Sequence, residues 1–582
     1  MSQRNPSAGR IAHGIDKAVS RLIRSPRRNA TIRRMSDRRR SVWGWGWADK
    51  FGSPSERSGL GEHLGVVLGF AGRGAAEPAD PSDHRMPEPR VRPGPFVAAF
   101  CTDARSDRAA HTWGRSYPDL VRGFTGDFSR APDLVAYPRS EDEIAAAMEW
   151  CARTRVALIP YGGGTSVVSG IEGAVGERWA GVLSLDLRYF DRVVAVDGVS
   201  RAARVQAGIT GPALNRALAD HGLVFRHYPQ SWEFSTVGGW IATRAGGHYA
   251  TLHTHIDDLV ESVRMITPEG PWESARLPGS GAGPSPDRMV LGSEGIFGVV
   301  TEAWLRVQLR PRWKATSSVF FDRFEDAVDA VRALSQSGLH PSNCRLLGPR
   351  DAALNGVAFD GSTLVVVGFE SADHDVSAKM ERALEIVGGH GGRCPRGARM
   401  VSPTSDGSPA SRSVGGKDAA GSWRDAFFEA PYLRDRLLSL GVMADTFETS
   451  TTWDRFGSLH ADLVRRVVGV MKRECGAGKL TCRFTHVYPD GPAPYYTFIA
   501  PTEPGREIEQ WEAVKSEASD VLAEHGASIT HHHAVGRLHR PWYKRQRPTP
   551  FGGVLRAIKR EVDPMGILNP GVLVREEDLG DA

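Results

Sequence analysis

The chain lacks an apolar run long enough to cross a bilayer, and it lacks paired cysteines. A membrane-spanning helix needs about 18 consecutive apolar residues, whereas the longest candidate, residues 65–71, is far shorter. The six cysteines are scattered and form no Cys-X-X-Cys pair, which argues against a disulfide framework or a cysteine zinc site. We therefore expect a cytoplasmic protein, with peripheral contact to a membrane left open.

A strong charge of one sign is missing from most of the chain. Residues 1–40 carry twelve Lys or Arg against two Asp, so the other 542 residues sum to −5 although the whole chain has a net charge of +5. We interpret 1–40 as a basic disordered tail, with attraction to nucleic acid or to an anionic membrane as the alternative. The remaining residues are numerous enough for two or more domains, and we expect no nucleic-acid partner for them.

Glycine is plentiful and is concentrated in turns that follow predicted strands. Residues 156–160 are typical of a buried strand, and they lead into the run Gly162-Gly163-Gly164. Adjacent glycines leave backbone N–H groups accessible to an anion. Two further runs of small residues follow at 230–239 and 292–300. Ordinary turns are the alternative, but three such blocks in order favour a nucleotide cradle.

The pattern of strands and helices divides the chain. Residues 130–310 alternate between predicted strands (132–138, 156–160, 181–186, 193–196, 204–208) and helices (140–154, 211–222), and 311–530 give a second such pattern. The Ser/Gly/Ala-rich stretch 396–422 predicts a mobile loop. We expect residues 41–129 to form an N-terminal arm and linker.

Three tryptophans alternate in that arm. Trp43, Trp45 and Trp47 would share one face of an extended segment. We expect an aromatic arm docked on the body, with an interfacial membrane anchor as the alternative.

Three consecutive histidines, His531, His532 and His533, follow the β-prone residues 527–530. On an extended strand His531 and His533 would point one way and His532 the other. Neighbours on a strand cannot all reach one ion, so we expect no metal site. Imidazoles titrate near neutral pH and suit proton transfer; a structural role is the alternative.

The three glycine blocks resemble the FAD-binding domain of the vanillyl-alcohol-oxidase type flavoproteins. Residues 43–46, 233–245, 447–455 and 531–538 narrow the resemblance to the alkyldihydroxyacetonephosphate synthase family. It implies an α+β fold, with a two-lobed FAD-binding domain at 130–310 and an α/β substrate (cap) domain at 311–530. Residues 531–582 would be an active-site segment that returns to the FAD domain. We expect the FAD to be non-covalent.

The resemblance also implies which residues contact FAD. They are Pro160, Tyr161, Gly162, Gly163, Gly164, Thr165, Ser166, Gln230, Ser231, Trp232, Glu233, Phe234, Ser235, Thr236, Thr243, Arg244, Ala245, Gly246, Glu294, Gly295, Ile296, Phe297, Gly298, Val299 and Val300.

Further residues match catalytic positions of the family. Tyr495 and the histidines 531–533 would transfer protons, and Arg434 would bind phosphate through its guanidinium fork. His227 and Arg345 also match functional positions. Without the resemblance, Tyr495 would be interpreted as a packing aromatic and Arg434 as a solvated charge; Tyr496 faces the other side of its strand and is the expected packing residue.

The implied reaction exchanges the acyl group of acyl-dihydroxyacetone phosphate for the alkoxy group of a fatty alcohol, without net redox change, and serves ether lipid synthesis. A homodimer is left open. Two features depart from the family: Gln230 replaces an Asp, and 568–572 read Leu-Asn-Pro-Gly-Val instead of Phe-Gly-Asn-Arg-Asn. That ending favours the alternative of an FAD-linked oxidase or dehydrogenase of a 2-hydroxyacid or alcohol. A flavin-binding protein without turnover is a third possibility.

Overall fold

The computed structural model describes residues 38–249, 251–358, 360–403, 409–412 and 419–575. Most of the predicted tail (1–37) and parts of the predicted loop (404–408 and 413–418) lie outside the described residues. Among the described residues, no helix combines the length and apolar content that crossing a membrane requires. All six cysteines are free.

The strands, numbered in chain order, are β1 (Cys101–Thr102), β2 (Leu134–Ala136), β3 (Val156–Tyr161), β4 (Gly181–Asp186), β5 (Val193–Asp197), β6 (Ala202–Gln206), β7 (Leu223–Val224), β8 (Val260–Thr267), β9 (Gly270–Glu273), β10 (Val299–Arg306), β11 (Gln308–Leu309), β12 (Trp313–Phe321), β13 (Asn343–Leu347), β14 (Thr363–Ser371), β15 (Arg399–Pro403), β16 (Pro409–Arg412), β17 (Val442–Glu448), β18 (Lys479–Val487) and β19 (Pro492–Pro501).

The α-helices span Pro54–Leu68, Arg105–Ala110, Tyr117–Phe124, Glu141–Thr154, Gly211–Ala219, Val237–Thr243, Pro286–Val290, Phe324–Gln336, Pro349–Leu354, Ser377–Gly389, Ala419–Ser439, Trp453–Cys475, Glu507–Glu524, Arg540–Gln546 and Thr549–Val562.

Two sheets form the N-terminal lobe, in the orders β1-β2-β4-β3 and β5-β6-β10-β8-β9. Strands β2, β4 and β3 are parallel, and β3 is almost wholly buried, as its run of branched apolar residues predicts. The helix before it begins at Ser140, whose side chain accepts the Glu143 N–H, and ends at Arg155 in the left-handed region. The first glycine turn therefore starts at the carboxyl end of a buried parallel strand.

The eight-stranded sheet of the second lobe, here called the cap, has the order β16-β15-β12-β14-β13-β18-β19-β17. Its strands pair antiparallel. Helices 324–336, 377–389, 453–475 and 507–524 pack their apolar residues into one core with it. The α+β class is confirmed.

The chain returns to the N-terminal lobe near its end. The Leu158 N–H donates to the Ile567 carbonyl (2.8 Å), and the Asn569 N–H donates to the Leu158 carbonyl (2.9 Å). Residues 567–569 therefore lie beside the strand that leads into the glycine turn.

Two local predictions need correction. The predicted loop 396–422 contains the paired strands β15 and β16 and the start of helix Ala419–Ser439, so it is not a loop throughout. The tryptophan arm is docked on the body, but it is not extended: Trp43 packs edge-on against Phe51 and Phe124, whereas Trp45 packs against Phe234. Gly46 has a φ of 58°, so the chain turns and the tryptophans do not share one face.

Candidate active site

A single cavity is lined both by the glycine turns and by side chains from the cap. From the N-terminal lobe its walls include Pro160, Tyr161, Gly162, Gly163, Gly164, Thr165, Ser166, Gln230, Ser231, Ser235, Thr236, Thr243, Ala245, Gly246, Glu294, Gly295, Gly298, Val299 and Val300. From the cap and the residues after it they include Arg345, Asp351, Arg434, Asp445, Thr446, Arg483, His486, Tyr495, His532 and His533.

The first two glycine blocks touch each other at the cavity. A Cβ atom on Gly163 would overlap the carbonyl oxygen of Phe234, and one on Gly162 would overlap Oγ1 of Thr236. Gly164 has a φ of 67°, a conformation that other residues adopt at a cost. Glycine is therefore required for two loops to approach closely and leave their backbone facing the cavity.

Asn569, from the returning segment, also lines the cavity. Its Nδ2 donates to the carbonyls of Gly170 (3.0 Å) and Glu294 (2.7 Å). Its Oδ1 is buried and has no hydrogen-bond partner within the described residues. The flavin and adenine rings both carry N–H donors, so an unpaired acceptor beside a glycine cradle fits FAD.

Six of the residues matched to FAD contacts do not line the cavity. Phe234 packs with Trp45 and Tyr432, and Arg244 pairs with Asp257. The others are Trp232, which stands against Gly211, Glu233, which accepts from Trp47 Nε1, and the core residues Ile296 and Phe297. These six side chains shape the loops whose neighbours face the cavity.

The histidine triplet is a bend and not an extended strand. It wraps around the buried carboxylate of Glu448, which accepts the backbone N–H of His531 (2.7 Å), His532 (3.1 Å) and His533 (3.0 Å). His532 and His533 line the cavity, whereas His531 does not. The three imidazoles are therefore positioned by one carboxylate at the end of β17.

Burial and the Glu448 carboxylate together determine the charge of the histidine triplet. Burial alone would raise the pKa of Glu448, but the facing His532 imidazole, which also hydrogen-bonds to the carboxylate, holds that pKa well below its ordinary value. Burial lowers the pKa of His531 and of His533 well below the ordinary value of an imidazole. The two imidazoles are consequently neutral at pH 7 beside an ionised carboxylate, and each presents a lone pair that can accept a proton.

Tyr495 lines the cavity next to the triplet. Its hydroxyl donates to Oγ1 of Thr446 (3.0 Å), and the guanidinium of Arg483 lies 4.0 Å from its ring centroid. Burial raises the pKa of Tyr495, and the Arg483 charge opposes that rise. Tyr496 faces away, fully buried, and stacks on Phe447.

Three guanidinium groups share the cap side of the cavity. Arg434 Nη1 lies 3.6 Å from Oδ1 of Asp445, and Arg483 Nη1 lies 3.5 Å from Oδ1 of Asp351. Arg345 donates to the carbonyl of His248 (2.8 Å), and burial lowers its pKa to about 9. Three guanidinium groups on one side of the cavity suit an anionic group such as a phosphate.

Apolar side chains form another part of the cavity wall. Leu68 of the first helix meets Leu437 of helix 419–439 and Ile499 of β19 in one buried cluster. All three line the cavity, as do Leu354 and Leu433. This part of the cavity can accommodate a hydrocarbon chain.

His227 does not line the cavity. Its ring is fully buried against Trp240 (centroids 5.0 Å apart), and neither ring nitrogen has a hydrogen-bond partner within the described residues. Burial lowers its pKa to about 3. It stands behind Gly247, which does line the cavity, so its contact with the site is indirect.

Sequence reasoning missed several side chains at the site. Glu448 lies in a segment that carried the family resemblance. A single acidic residue at a strand end gave no indication that it accepts hydrogen bonds from three backbone N–H groups. Arg483, His486 and Asp351 lie on β18 and in the short helix 349–354. The alternation of side-chain direction along β18 was the signal that could have identified Arg483, because Arg483 lies opposite Tyr495 on β19.

Comparisons with known proteins agree with this geometry. Residues 132–275 match the family described as "FAD binding domain", and residues 310–573 match "FAD linked oxidases, C-terminal domain". The structure superposes on a solved p-cresol methylhydroxylase with a TM-score of 0.62 at 13% identity, covering 83% of this chain and 95% of that one, which shows the fold. The chain therefore binds FAD in the manner of this fold.

Two further similarities are more specific. The alkyldihydroxyacetonephosphate synthase of Dictyostelium discoideum is 31% identical over 489 residues, which is 82% of this chain and 79% of that protein. A solved alkyldihydroxyacetonephosphate synthase superposes with a TM-score of 0.74 at 25% identity, covering 91% of this chain and 98% of that one. The chain therefore belongs to the alkyldihydroxyacetonephosphate synthase family and is an FAD-dependent enzyme of that type.

Proposed function

We propose that this enzyme exchanges the acyl group of acyl-dihydroxyacetone phosphate for the alkoxy group of a long-chain alcohol. The ester C–O bond at the dihydroxyacetone carbon breaks, an ether C–O bond forms at the same carbon, and a fatty acid leaves. The observation that carries the proposal is the presence, in one cavity, of a dinucleotide cradle, a guanidinium cluster, imidazoles and an apolar wall.

The guanidinium cluster binds the phosphate of the substrate. Arg434 is held between the carbonyl of Arg115, to which it donates (2.8 Å), and the Asp445 carboxylate. These contacts fix its guanidinium group, and its Nε has no hydrogen-bond partner within the described residues. Arg345 and Arg483 add positive charge on the same side.

FAD, when bound in the glycine cradle, would supply an electrophile for the dihydroxyacetone carbon. The protein's own residues move the protons. His532, His533 and Tyr495 line the cavity, and Glu448 beneath them stabilises an imidazolium once a proton is taken up. The alcohol gives up its proton as the fatty acid departs, so the exchange is balanced without an external oxidant.

The apolar wall binds the hydrocarbon chain. Burial of methylene groups contributes roughly 0.8 kcal/mol each, so a long chain binds more tightly than a short one. Phosphate recognition then positions the head group while the apolar wall holds the tail.

The test is an ether-forming assay with purified full-length protein, isotopically labelled hexadecanol and acyl-dihydroxyacetone phosphate. A labelled product that survives alkaline ester hydrolysis supports the proposal. The second candidate, a 2-hydroxyacid or alcohol dehydrogenase, is favoured by the Asn569-Pro570-Gly571 ending. It predicts bleaching of the flavin absorbance by the hydroxyacid without air, with no ether formed.

The lipid substrates also suggest a membrane-facing surface. Residues 537–560 contain eight Arg or Lys, of which Lys559 is buried against Asp563 and Arg545 pairs with Asp520. Phe551 (37% exposed) and Val554 (48% exposed) project from the helix Thr549–Val562, between exposed Lys544 and Arg560. Exposed apolar residues flanked by cations are typical of a surface that docks on an anionic bilayer.

Sedimentation of the full-length protein with vesicles tests this surface. We expect binding to vesicles that contain anionic lipid to fall several-fold in a Phe551→Ser, Val554→Ser variant and not in Val199→Ser, a control whose side chain is 97% exposed elsewhere. Equal binding by both variants would assign membrane contact to another part of the chain.

A further inference from the structure

Imidazoles from two distant parts of the chain converge on the wall of the cavity. His486, from β18, meets His531 and His532, and one ring nitrogen of each lies within 4.8 Å of the other two. On a strand, consecutive histidines diverge, which is why the sequence predicted no metal site. The bend around Glu448 removes that objection, because it turns His531 and His532 so that their Nδ1 atoms face each other at 3.0 Å.

The hydrogen bonds around these rings leave nitrogens available as ligands. Nε2 of His486 lies 2.9 Å from the carbonyl of Gly247. A carbonyl only accepts, so this nitrogen carries the proton and Nδ1 has the lone pair; its neighbour is Oγ1 of Thr485 at 3.2 Å, a hydroxyl that also donates to the Ala493 carbonyl. Nε2 of His531 lies 2.8 Å from the Tyr488 hydroxyl. Metal-binding imidazoles are oriented by the same kind of contact on their second nitrogen.

One carboxylate lies next to the cluster. Glu448 is buried beneath the cluster, and its Oε2 lies 3.3 Å from Nδ1 of His532. A carboxylate this close to a ligand nitrogen offsets part of the charge of a divalent ion and helps to orient the imidazole.

We propose that His486, His531 and His532 form a binding site for a divalent transition-metal ion, such as Zn²⁺. A set of imidazole nitrogens selects zinc or a neighbouring transition metal over magnesium or calcium, which prefer oxygen ligands. His486 and His532 line the cavity, so a bound ion occupies the proton-transfer group of the active site. Inhibition of ether formation by the ion follows, and this last consequence alone rests on the proposed function.

The test is direct measurement of Zn²⁺ binding to untagged, chelator-treated full-length holoenzyme, by calorimetry and by elemental analysis after gel filtration. We expect one Zn²⁺ per chain. His486→Ala and His531→Gln should each weaken binding by at least about tenfold. The flavin absorbance of each variant reports whether the active-site fold survives.

His533 provides the matched control, because it belongs to the same triplet but not to the cluster of three. His533→Ala should bind Zn²⁺ as the wild type does. Absence of stoichiometric Zn²⁺ on the wild type would overturn the proposal, as would unchanged binding in His486→Ala and His531→Gln. Equal weakening in His533→Ala would place the ion on the other side of Glu448 and would overturn it too. None of these results depends on whether ether is formed.

Discussion

The two walls of the cavity are built in different ways. The N-terminal lobe offers backbone: short runs of glycine and small residues in contiguous blocks, brought together by loops that touch at Gly163 and Phe234. The cap offers side chains that come singly from β13, β17, β18, β19 and two helices. The N-terminal wall therefore depends on the absence of side chains at its glycines. The cap wall depends on the functional groups of its side chains and on the residues that position them. Substitutions should affect the two walls differently.

The largest effect should follow from adding one methyl group to the backbone wall. Gly163→Ala places a Cβ on the Phe234 carbonyl oxygen, and backbone on both sides would have to move. We expect nearly complete loss of bound FAD, measured as the ratio of flavin absorbance to protein absorbance.

Gly198→Ala is the matched control, because a Cβ at Gly198 would have no atom within 4 Å. It should retain a full complement of FAD. Retention of FAD by Gly163→Ala would contradict the close contact of the two loops.

On the side-chain wall, Glu448→Gln should have the next largest effect. The amide cannot accept all three N–H groups of the triplet, nor stabilise a protonated imidazole. We expect the rate of ether formation to fall about 100-fold or more while FAD stays bound. Glu385→Gln, on an exposed helix face, is the control. A proportional loss of flavin in Glu448→Gln would indicate instead that the residue serves the fold.

Arg434→Ala should act on substrate affinity. Loss of a charge-assisted contact to phosphate costs about 1.5–3 kcal/mol, which corresponds to a KM increase of roughly 10- to 100-fold for the phosphorylated substrate. Flavin content should not change. The control is Arg382→Ala, which changes an exposed arginine paired with Glu385 and should leave KM unaltered. An unaltered KM in Arg434→Ala would show that Arg434 does not bind the phosphate.

The smallest effect concerns stability. Glu294 lines the cavity, accepts the N–H groups of Val535 and Gly536, and burial raises its pKa from 4.5 to about 7. The folded protein therefore keeps a proton that the unfolded chain releases near pH 4.5. Stability should fall as pH rises between these two values, by on the order of 3 kcal/mol at most.

Urea unfolding from about pH 5 to pH 8 measures this dependence. Glu294→Gln cannot titrate, so its unfolding free energy should vary less over that window than the wild type's. Parallel pH profiles of the two proteins would contradict the raised pKa.

The contrast between the walls also explains what the sequence could predict. Contiguous glycine blocks carry their own signal, so the cradle, the strand before it and the FAD fold were predictable. Glu448, Arg483 and His486 act through partners distant in the chain, and no local pattern identifies them. His531–His533 were predictable as a motif, but their bend was not, because it depends on a carboxylate 83 residues away from His531.

The central claim is that both walls act on one substrate carbon. Incubating the enzyme with ¹⁸O-labelled long-chain alcohol and acyl-dihydroxyacetone phosphate tests it most directly, with mass spectrometry of both products. We predict that the ether carries the alcohol's ¹⁸O, that the released fatty acid carries none, and that the flavin is oxidised before and after. Reduction of the flavin by a 2-hydroxyacid, with no ¹⁸O-labelled ether formed, would contradict the account.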